Sequence, residues 1–309
     1  MTAENAVEVL DLTKHFGDIV AVDRITFKIK RGELFGFLGP NAAGKTTTIR
    51  MLTGILKPDQ GSASVLGHDI GKDALAAKQL MGIVPEIANV YVDLSAWKNL
   101  MLIGELYGVS SKERKDRACS LLKEFGLYER RNDLAKGFSK GMRQKLLLCM
   151  ALINSPHILF LDEPTSGLDV ESQRLIRDMI RELNRSGITV FLTTHNMEEA
   201  NRLCDRIAII DRGRIGAIDS PEKLRLRSTR LHSIEISFDK QVTPEEFLSF
   251  RGVKQVEKVG DKIRLLVDES SPVLEDLVDF ARSAKLKMLS LNTLAPSLED
   301  VFLELIKES

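Results

Sequence analysis

A glycine-rich segment at residues 39–46 carries the clearest chemistry in the sequence. It reads Gly-Pro-Asn-Ala-Ala-Gly-Lys-Thr and fits the pattern G-x-x-x-x-G-K-[ST] of a phosphate-binding loop. In such a loop, backbone N–H groups surround nucleotide phosphates, Lys45 reaches the β- and γ-phosphates, and the Thr46 hydroxyl binds Mg²⁺. A plain glycine-rich connector is the alternative, but the segment lies between a predicted buried strand and a predicted helix. The candidate phosphate-binding residues are Gly39, Pro40, Asn41, Ala42, Ala43, Gly44, Lys45, Thr46 and Thr47.

Two consecutive acids, Asp162 and Glu163, follow the apolar run at residues 158–161. Open α/β sheets bind ligands at the carboxyl ends of their strands, which is where this pair is expected to lie. Asp162 is predicted to act on Mg²⁺ through its coordination shell, and Glu163 to orient and polarise an attacking water. Alone, the pair is equally consistent with a helix N-terminal cap. Its combination with the phosphate-binding loop favours catalysis.

Two predicted helices begin with basic residues, although the helix dipole favours acids at that end. Lys45 follows Gly44 in the first helix, and Lys140 follows the good N-cap Ser139 in the second. The first helix has the nucleotide as its anion. One nucleotide cannot easily serve both helices of one chain, so the second helix predicts an anion held by a second subunit. A solvated basic helix end is the alternative.

The elements that must position these residues are visible as hydrophobic patterns. Alternation near residues 7–12 and 25–29 predicts antiparallel strands, and the continuous apolar run at residues 34–38 predicts a strand buried on both faces. Further buried runs at residues 158–161, 190–192 and 207–210, separated by helical segments, indicate a parallel sheet. Residues 95–153 lack strand signals and are predicted to be a mostly helical insertion.

A second set of predicted strands and helices begins after Ser220. A strand is predicted at residues 234–238, a capped helix from Thr243, and a hairpin of strands at residues 253–259 and 262–267 around Gly260 and Asp261. A helix is predicted at residues 273–284, a strand at residues 285–291 and a last helix at residues 297–307. The order β-α-β-β-α-β plus a helix predicts a small ferredoxin-like domain.

Composition excludes several classes of protein. The 309 residues are 43% hydrophobic and 28% charged, which excludes collagen-like and wholly disordered chains. Lys plus Arg and Asp plus Glu are both 44, so no net positive field gathers nucleic acid, and no nucleic-acid partner is expected. Three dispersed cysteines indicate neither a disulfide framework nor a zinc site. With no signal-like start and no long apolar run, we expect an intracellular chain that acts on a membrane only through a partner.

Taken together, the motifs resemble those of the ATP-binding subunits of ABC transporters. The segment at residues 138–144, Phe-Ser-Lys-Gly-Met-Arg-Gln, resembles the family signature, which places Ser139, Lys140, Gly141 and Met142 near a nucleotide. The segment at residues 166–169 resembles the D-loop that ends in Asp169. His195 matches the switch histidine, Phe16 the aromatic residue that stacks on adenine, and Glu86 the position near Mg²⁺. The tail at residues 296–305 resembles the drug and antibiotic export branch that includes daunorubicin resistance.

The resemblance implies a fold, a reaction and partners. The fold is α/β, a P-loop NTPase (ABC ATPase) with antiparallel β and helical subdomains, plus the small α+β ferredoxin-like C-terminal domain. Residues 1–225 form the ATP-binding domain, with the helical subdomain at about 87–155, and residues 226–309 form the accessory domain. Two subunits, identical or homologous, sandwich two ATP molecules with Mg²⁺. Closure on ATP drives a polytopic membrane permease, contacted through roughly residues 87–107, so the chain lies in the cytoplasm at the inner face of the cell membrane.

The implied site assigns residues to three roles. Glu163, His195 and Lys45 are catalytic, and Asp169 couples the two sites. Thr46, Glu86 and Asp162 are the Mg²⁺ residues. Three positions depart from the usual family pattern: Ala42 and Lys140 stand where glycine is common, and Glu86 stands where glutamine is common.

Two other functions remain open at this point. An ATP-sensing regulatory module with little turnover is supported by Ala42 and Glu86, whereas Glu163 and His195 oppose it. A nucleic-acid-associated ATPase of the same fold usually carries coiled coils or basic surfaces, and this sequence shows neither. The leading interpretation is the ATP-hydrolysing subunit of an exporter for a drug-like, lipid or other small substrate.

Overall fold

The computed structural model describes residues 4–87, 89–227, 232–267, 270–294, 298–299 and 301–302. The chain divides into two compact units, Met1–Ser220 and Pro221–Ser309. In the described residues, no helix is both long enough and apolar enough to cross a membrane.

The first unit alternates strands and helices after an initial pair of long strands. Its strands are β1 (Asn5–Phe16), β2 (Ile19–Lys30), β3 (Leu34–Leu38), β4 (Gln60–Val65), β5 (His68–Asp69), β6 (Met81–Val84), β7 (Ile158–Asp162), β8 (Thr189–Thr194), β9 (Arg206–Asp211) and β10 (Arg214–Asp219). Its helices are α1 (Lys45–Leu52), α2 (Ala74–Gln79), α3 (Ala96–Leu106), α4 (Ser111–Glu124), α5 (Lys140–Leu152), α6 (Val170–Arg185) and α7 (Met197–Leu203).

A six-stranded sheet in the order β10-β9-β3-β8-β7-β6 forms the centre of this unit. Its strands are parallel except for the antiparallel pair β9–β10. Every residue of β3, β7 and β8 is buried, as expected for strands covered on both faces. The carboxyl ends of these three adjacent parallel strands therefore meet at one edge, where the loops after residues 38, 162 and 194 come together.

An antiparallel sheet in the order β2-β1-β4-β5 packs against the central one through phenylalanines. Phe27 of β2 stacks on Phe35 of β3 with ring centroids 5.6 Å apart, and its ring centroid lies 5.7 Å from that of Phe37 on the same strand. Stacked and tilted aromatic pairs at these distances add to the energy of apolar burial. The alternation at the start of the sequence predicted β1 and β2 of this sheet, but both strands are longer than predicted.

Helices α3, α4 and α5 form the insertion between β6 and β7, as the sequence predicted. A serine caps each of them: the side chains of Ser95, Ser110 and Ser139 accept hydrogen bonds from the backbone N–H groups of the third helical residues. Short 3₁₀ turns at Tyr128–Arg130 and Ala135–Gly137 join α4 to α5. The signature-like segment therefore begins at a well-capped helix start.

Four strands of the first unit carry no clear sequence signal and were not predicted: β4, β5, β6 and β10. β4 reads Gln-Gly-Ser-Ala-Ser-Val, which is small and polar, and β5 has two residues. β6 has four residues and includes a glycine. Strands this short form because neighbouring strands supply their hydrogen bonds, so their own sequences specify little.

The second unit contains α8 (Pro221–Arg227), β11 (His232–Phe238), β12 (Val253–Val259), β13 (Lys262–Val267), α9 (Ser270–Ser283) and β14 (Met288–Leu294). The sheet order β12-β13-β11-β14 with antiparallel pairs is the ferredoxin-like arrangement, which confirms that prediction.

Two details of the second unit differ from the prediction. The helix predicted from Thr243 is a single 3₁₀ turn, Pro244–Phe247, although the capping box with Glu246 forms. The last strand begins at Met288 rather than at residue 285, because Lys285 adopts a left-handed conformation with φ 50°. Residues 298–299 and 301–302 are helical, and the rest of the predicted last helix lies outside the described residues.

Candidate active site

The phosphate-binding loop connects β3 to α1 and is held by backbone hydrogen bonds to neighbouring elements. The Gly39 N–H donates to the Thr194 carbonyl at 3.3 Å, and the Gly213 N–H donates to the Ala43 carbonyl at 3.0 Å. Gly44 forms the N-cap of α1 in the left-handed region, with φ 103°, which favours glycine. The end of β8 and the turn between β9 and β10 therefore fix the loop in place.

Ala42 occupies a left-handed conformation, with φ 64°. A residue with a Cβ pays about 1–2 kcal/mol for that conformation relative to glycine. The family resemblance expected glycine here, and the backbone explains why. Ala42 keeps the loop in this shape at a local energetic cost.

Lys45, the first residue of α1, is buried and turned back toward its own loop. Its side chain is only 6% exposed, and Nζ donates to the Gly39 carbonyl at 2.7 Å and to the Pro40 carbonyl at 3.0 Å. Nζ also lies 3.2 Å from Glu163 Oε1, forming a buried ion pair. The loop thus holds a desolvated positive charge at the N-terminus of a helix, a site suited to phosphate.

The two acids lie at the carboxyl end of β7. Asp162 is buried, and its Oδ1 accepts a hydrogen bond from the Thr193 hydroxyl on β8 at 2.5 Å. Glu163 is 8% exposed and left-handed, with φ 49°. Its N–H donates to the Thr193 carbonyl at 3.1 Å, so β8 fixes the backbone of both acids.

The Glu163 carboxylate joins two further groups. Oε2 lies 2.8 Å from His195 Nδ1, and an ionised carboxylate only accepts, so Nδ1 is the protonated ring nitrogen. Oε1 is buried and accepts no hydrogen bond with good geometry from any described residue, although Lys45 lies close enough for charge attraction. This orphaned oxygen can accept a hydrogen bond from a water molecule.

A cleft of about 660 Å³ opens above the loop. Phe16, which is 51% exposed, forms part of its wall, with Lys14 Nζ 5.7 Å from the ring centroid. The cleft brings together most of the predicted nucleotide residues, and these are Phe16, Pro40, Asn41, Ala42, Ala43, Gly44, Lys45, Thr46, Thr47, Glu86 and Glu163.

The cleft also contains residues that the sequence analysis missed. Ile19, Val20 and Ala21 from β2 line it, and so does Arg212, an exposed cation in the turn between β9 and β10. The apolar residues Ile19 and Val20 at the start of β2 are exposed, and this could have indicated a binding surface. Arg212 gave no such indication, since it is 173 positions from Gly39 along the chain and only the sheet order brings it near.

The signature-like residues do not line this cleft. Ser139 caps α5 by accepting from the Met142 N–H at 3.2 Å, and Gly141 is buried within that helix. Gly167 has φ 63°, and a Cβ there would meet Lys140 Nζ. Lys140 thus lies against the D-loop-like segment of its own chain.

Asp169 forms the N-cap of α6 rather than part of the cleft. It accepts from the Ser172 N–H and hydroxyl, both at 2.8 Å. The Ser172 backbone N–H, followed by its hydroxyl, lowers the pKa of the Asp169 carboxyl below its usual value. The structure therefore separates the predicted site into a cleft set, with Glu163 and His195, and a signature set, with Asp169.

The sequence matches two family profiles. The profile described as "ABC transporter" matches residues 22–166, and the profile described as "ATP-binding protein DrrA1-3-like, C-terminal domain" matches residues 220–306.

Curated relatives match nearly the whole chain. The linearmycin resistance ATP-binding protein LnrL of Bacillus subtilis is 38% identical over 302 residues, which is 96% of each chain. The daunorubicin/doxorubicin resistance ATP-binding protein DrrA of Streptomyces peucetius is 35% identical over 308 residues, 97% of this chain and 92% of the relative. A Nod factor export ATP-binding protein I from Rhizobium sp. is 38% identical over 303 residues, 97% and 96% of the two chains.

Solved structures match about seven tenths of the chain. An ATP-binding subunit of an ABC transporter superposes with a TM-score of 0.66 and 31% identity, covering 72% of this chain and 92% of that one. A dimeric ATP-binding cassette in a post-hydrolysis state, bound to ADP and Pi, has a TM-score of 0.64 and 26% identity, covering 69% and 98%. The chain belongs to the ATP-binding subunits of ABC transporters, ATPases coupled to transport, and carries a DrrA-like C-terminal domain.

Proposed function

We propose that this chain powers export of a drug-like, lipid or other small substrate through a separate membrane subunit, by closing a dimer on ATP and reopening it after hydrolysis. The relatives named for drug resistance and Nod factor export support export as the direction. The observation that carries hydrolysis is the buried Glu163 carboxylate, which lies between Lys45 and His195 beside the phosphate-binding loop.

The cleft residues would bind ATP from base to phosphate. The exposed ring of Phe16 offers a face for the adenine. Residues 39–47 surround the phosphates, with Lys45 leaving Glu163 to pair with the β- and γ-phosphates. Because that exchange replaces one charge partner by another in the same buried site, Lys45 remains paired throughout.

The cleft fits Mg²⁺ through the chemistry of its donors. Thr46 and Glu86 line the cleft, and the buried Asp162 lies at the end of β7, directly before Glu163. Their hydroxyl and carboxylate oxygens are the ligand type that Mg²⁺ prefers. The described residues contain no group of three or more His, Cys, Asp or Glu side chains arranged to hold a metal. A Mg²⁺ ion here would therefore take most of its ligands from phosphates and water, and would supply charge neutralisation to the transferred phosphoryl group.

Glu163 and His195 would perform the chemistry. With Lys45 drawn to the phosphates, both Glu163 oxygens remain in a buried setting, and Oε1 accepts a proton of the attacking water. His195 donates to Oε2 through Nδ1 and, with Nε2 protonated as well, would donate through Nε2 to the γ-phosphate. The Glu163 N–H, which donates to the Thr193 carbonyl, holds the backbone of Glu163 at the end of β8.

A second subunit would complete each site. The signature-like residues 139–142 do not line the cleft of their own chain, and the first turn of α5 carries Lys140 and no acid. A second copy, or a homologous subunit, would place its nucleotide opposite this helix start. Asp169 caps α6 two residues after Gly167, against which Lys140 lies, and would then couple the two sites.

A polytopic membrane permease is the proposed partner, with the chain held by it at the cytoplasmic face of the membrane. The segment at residues 87–107 presents exposed apolar side chains, including Ile87 and Leu106.

Tagged full-length chain purified from native membranes in mild detergent is expected to bring a polytopic membrane protein in comparable amount. Ile87→Ser/Leu106→Ser is expected to lose that protein and keep ATP binding, whereas Leu75→Ser, an exposed control on α2, keeps both. Equal recovery with all three proteins, or no membrane protein with any, would contradict the proposal.

The carboxylate at position 86 gives a testable prediction. Glu86 is exposed at the cleft, where it adds a negative charge near the phosphates and binds Mg²⁺ more strongly than an amide. We expect Glu86→Gln to raise the Mg²⁺ concentration needed for half-maximal hydrolysis by several-fold, with the Kd for ATP changed less. An Mg²⁺ titration of hydrolysis that coincides with that of the parent chain would contradict this.

A further inference from the structure

We propose that Glu199 is a positioning residue for ATP hydrolysis, because it ties the loop after Glu163 to the loop that carries His195. Glu199 lies on α7, a helix that the sequence analysis did not connect with the site. The proposal rests on the roles assigned above to Glu163 and His195, and its test separates the two.

Glu199 is a deeply buried carboxylate. Its side chain is 1% exposed, and Oε1 accepts a hydrogen bond from the Thr165 hydroxyl at 2.7 Å. Thr165 is two residues after Glu163, and Asn196, the N-cap of α7, directly follows His195. The bond therefore joins two segments that are 34 positions apart and that each begin at a proposed catalytic side chain.

The segment on the Thr165 side is a tight turn. The Ser166 N–H donates to the Glu163 carbonyl at 3.0 Å, and the Leu168 N–H donates to the Thr165 carbonyl at 3.3 Å. Movement of Thr165 would therefore pass directly to the backbone of Glu163 on one side and to the start of α6 at Asp169 on the other.

The segment that carries His195 is also held by hydrogen bonds. The Glu199 N–H donates to Asn196 Oδ1 at 3.0 Å, and the Asn196 N–H donates to the Thr194 hydroxyl at 3.0 Å. His195 lies between Thr194 and Asn196, so its backbone is fixed from both neighbours. The Glu199 N–H thus holds the loop that carries His195, and the Glu199 carboxylate holds the loop after Glu163.

The burial of the Glu199 carboxylate has an energetic cost that an apolar contact at the same place would not have. Glu199 Oε2 is buried and accepts no hydrogen bond of good geometry from a described residue, although the Thr194 hydroxyl lies nearby. Desolvation raises the pKa of the Glu199 carboxyl, and the nearby Glu163 charge adds to that rise, while the hydroxyls of Thr165 and Thr194 and the charge of Arg177 oppose it. An apolar pair would fill such a site at no such cost, so stability alone does not account for a carboxylate here.

The test replaces the polar contact between Thr165 and Glu199 by apolar side chains and compares the variants with the parent chain. Thr165→Val keeps the shape and removes the donor, and Thr165→Val/Glu199→Leu replaces the whole polar contact. Both are expected to lower kcat by about tenfold, since small misplacements of catalytic groups have effects of this size or larger, while KM for ATP stays within about twofold. The double variant is expected to melt at or above the temperature of the parent chain.

Conservative variants should rescue the activity. Thr165→Ser keeps the hydroxyl, and Glu199→Gln keeps an oxygen of the same size to accept from it, so both should retain kcat within about threefold. Glu198→Gln is the matched control, because Glu198 is its exposed neighbour on α7 and forms an exposed ion pair with Arg202.

Either of two results would overturn the proposal: parent-like kcat in Thr165→Val/Glu199→Leu, or a kcat in Thr165→Ser as low as that in Thr165→Val. Failure of the underlying roles is distinguishable. In that case Glu163→Gln itself would hydrolyse ATP normally, whereas a failure of this inference alone leaves Glu163→Gln inactive and the Thr165 variants active.

Discussion

Glu163→Gln is expected to lower the rate of ATP hydrolysis by about a thousandfold while ATP still binds, because an amide cannot take the proton of the attacking water. The substitution keeps the size of the side chain beside Lys45 and His195. It also removes a negative charge that lies close to the γ-phosphate position. We therefore expect ATP with Mg²⁺ to hold the variant as a stable dimer, visible as a doubled mass by light scattering, whereas the parent chain returns to its starting mass as ATP is consumed.

A neighbouring carboxylate provides the control for this prediction. Glu171 is an exposed acid in the first turn of α6, and Glu171→Gln should hydrolyse ATP at the parent rate. Hydrolysis by Glu163→Gln within about tenfold of the parent would remove the general-base role. Tight ATP binding with neither turnover nor dimer formation in any of these proteins, even with the membrane subunit present, would favour a nucleotide-sensing module.

The cleft shows which parts of a site can be predicted from local sequence. The phosphate-binding loop and the Asp162–Glu163 pair depend on continuous stretches, so their residue types and spacing suffice. The link between Glu163 and His195 spans 32 positions and follows from the parallel pairing of β7 with β8, which the buried runs already indicated.

Contacts that depend on side-chain burial could not be predicted in the same way. Glu198 and Glu199 are adjacent acids in one helix and look alike in the sequence, yet Glu198 forms an exposed pair with Arg202 and Glu199 is almost fully buried. Only the packing of α7 against the sheet and α6 separates them. The direction of Lys140, which lies against Gly167, likewise depends on how α5 meets the loop before α6.

The same reasoning applies to the second unit. The hairpin of β12 and β13 turns at Gly260 and Asp261, a local signal that predicted both strands with their bounds. The capping box at Thr243 correctly marked a helical start, but the segment continues for only one 3₁₀ turn. A cap specifies where a helix begins, and the length depends on the apolar face that follows, which here is short.

Lys45→Met is expected to weaken ATP binding and to destabilise the protein for separate reasons. Loss of the cation removes a buried charge contact to the phosphates, and we expect the Kd for ATP to rise about a hundredfold. In the free protein the same change leaves Glu163, which is 8% exposed, without its nearest cation. Removing one partner of a buried ion pair typically costs about 3 kcal/mol or more, so the free energy of unfolding should fall by roughly 3 kcal/mol.

The double variant Lys45→Met/Glu163→Gln separates the two effects, because it removes the uncompensated charge together with its partner. Its free energy of unfolding, measured in urea, should recover most of the loss, because no unpaired charge stays buried. Its affinity for ATP should remain as low as in Lys45→Met. Lys72→Met is the control: its ion pair with Asp69 is exposed, and such pairs contribute at most about 1 kcal/mol. If Lys45→Met were as stable as the parent chain, the Lys45–Glu163 contact would carry no net energy in the free protein. Separation of Glu163 from Lys45 would then cost no energy, and no compensation from the phosphates would be needed to release it.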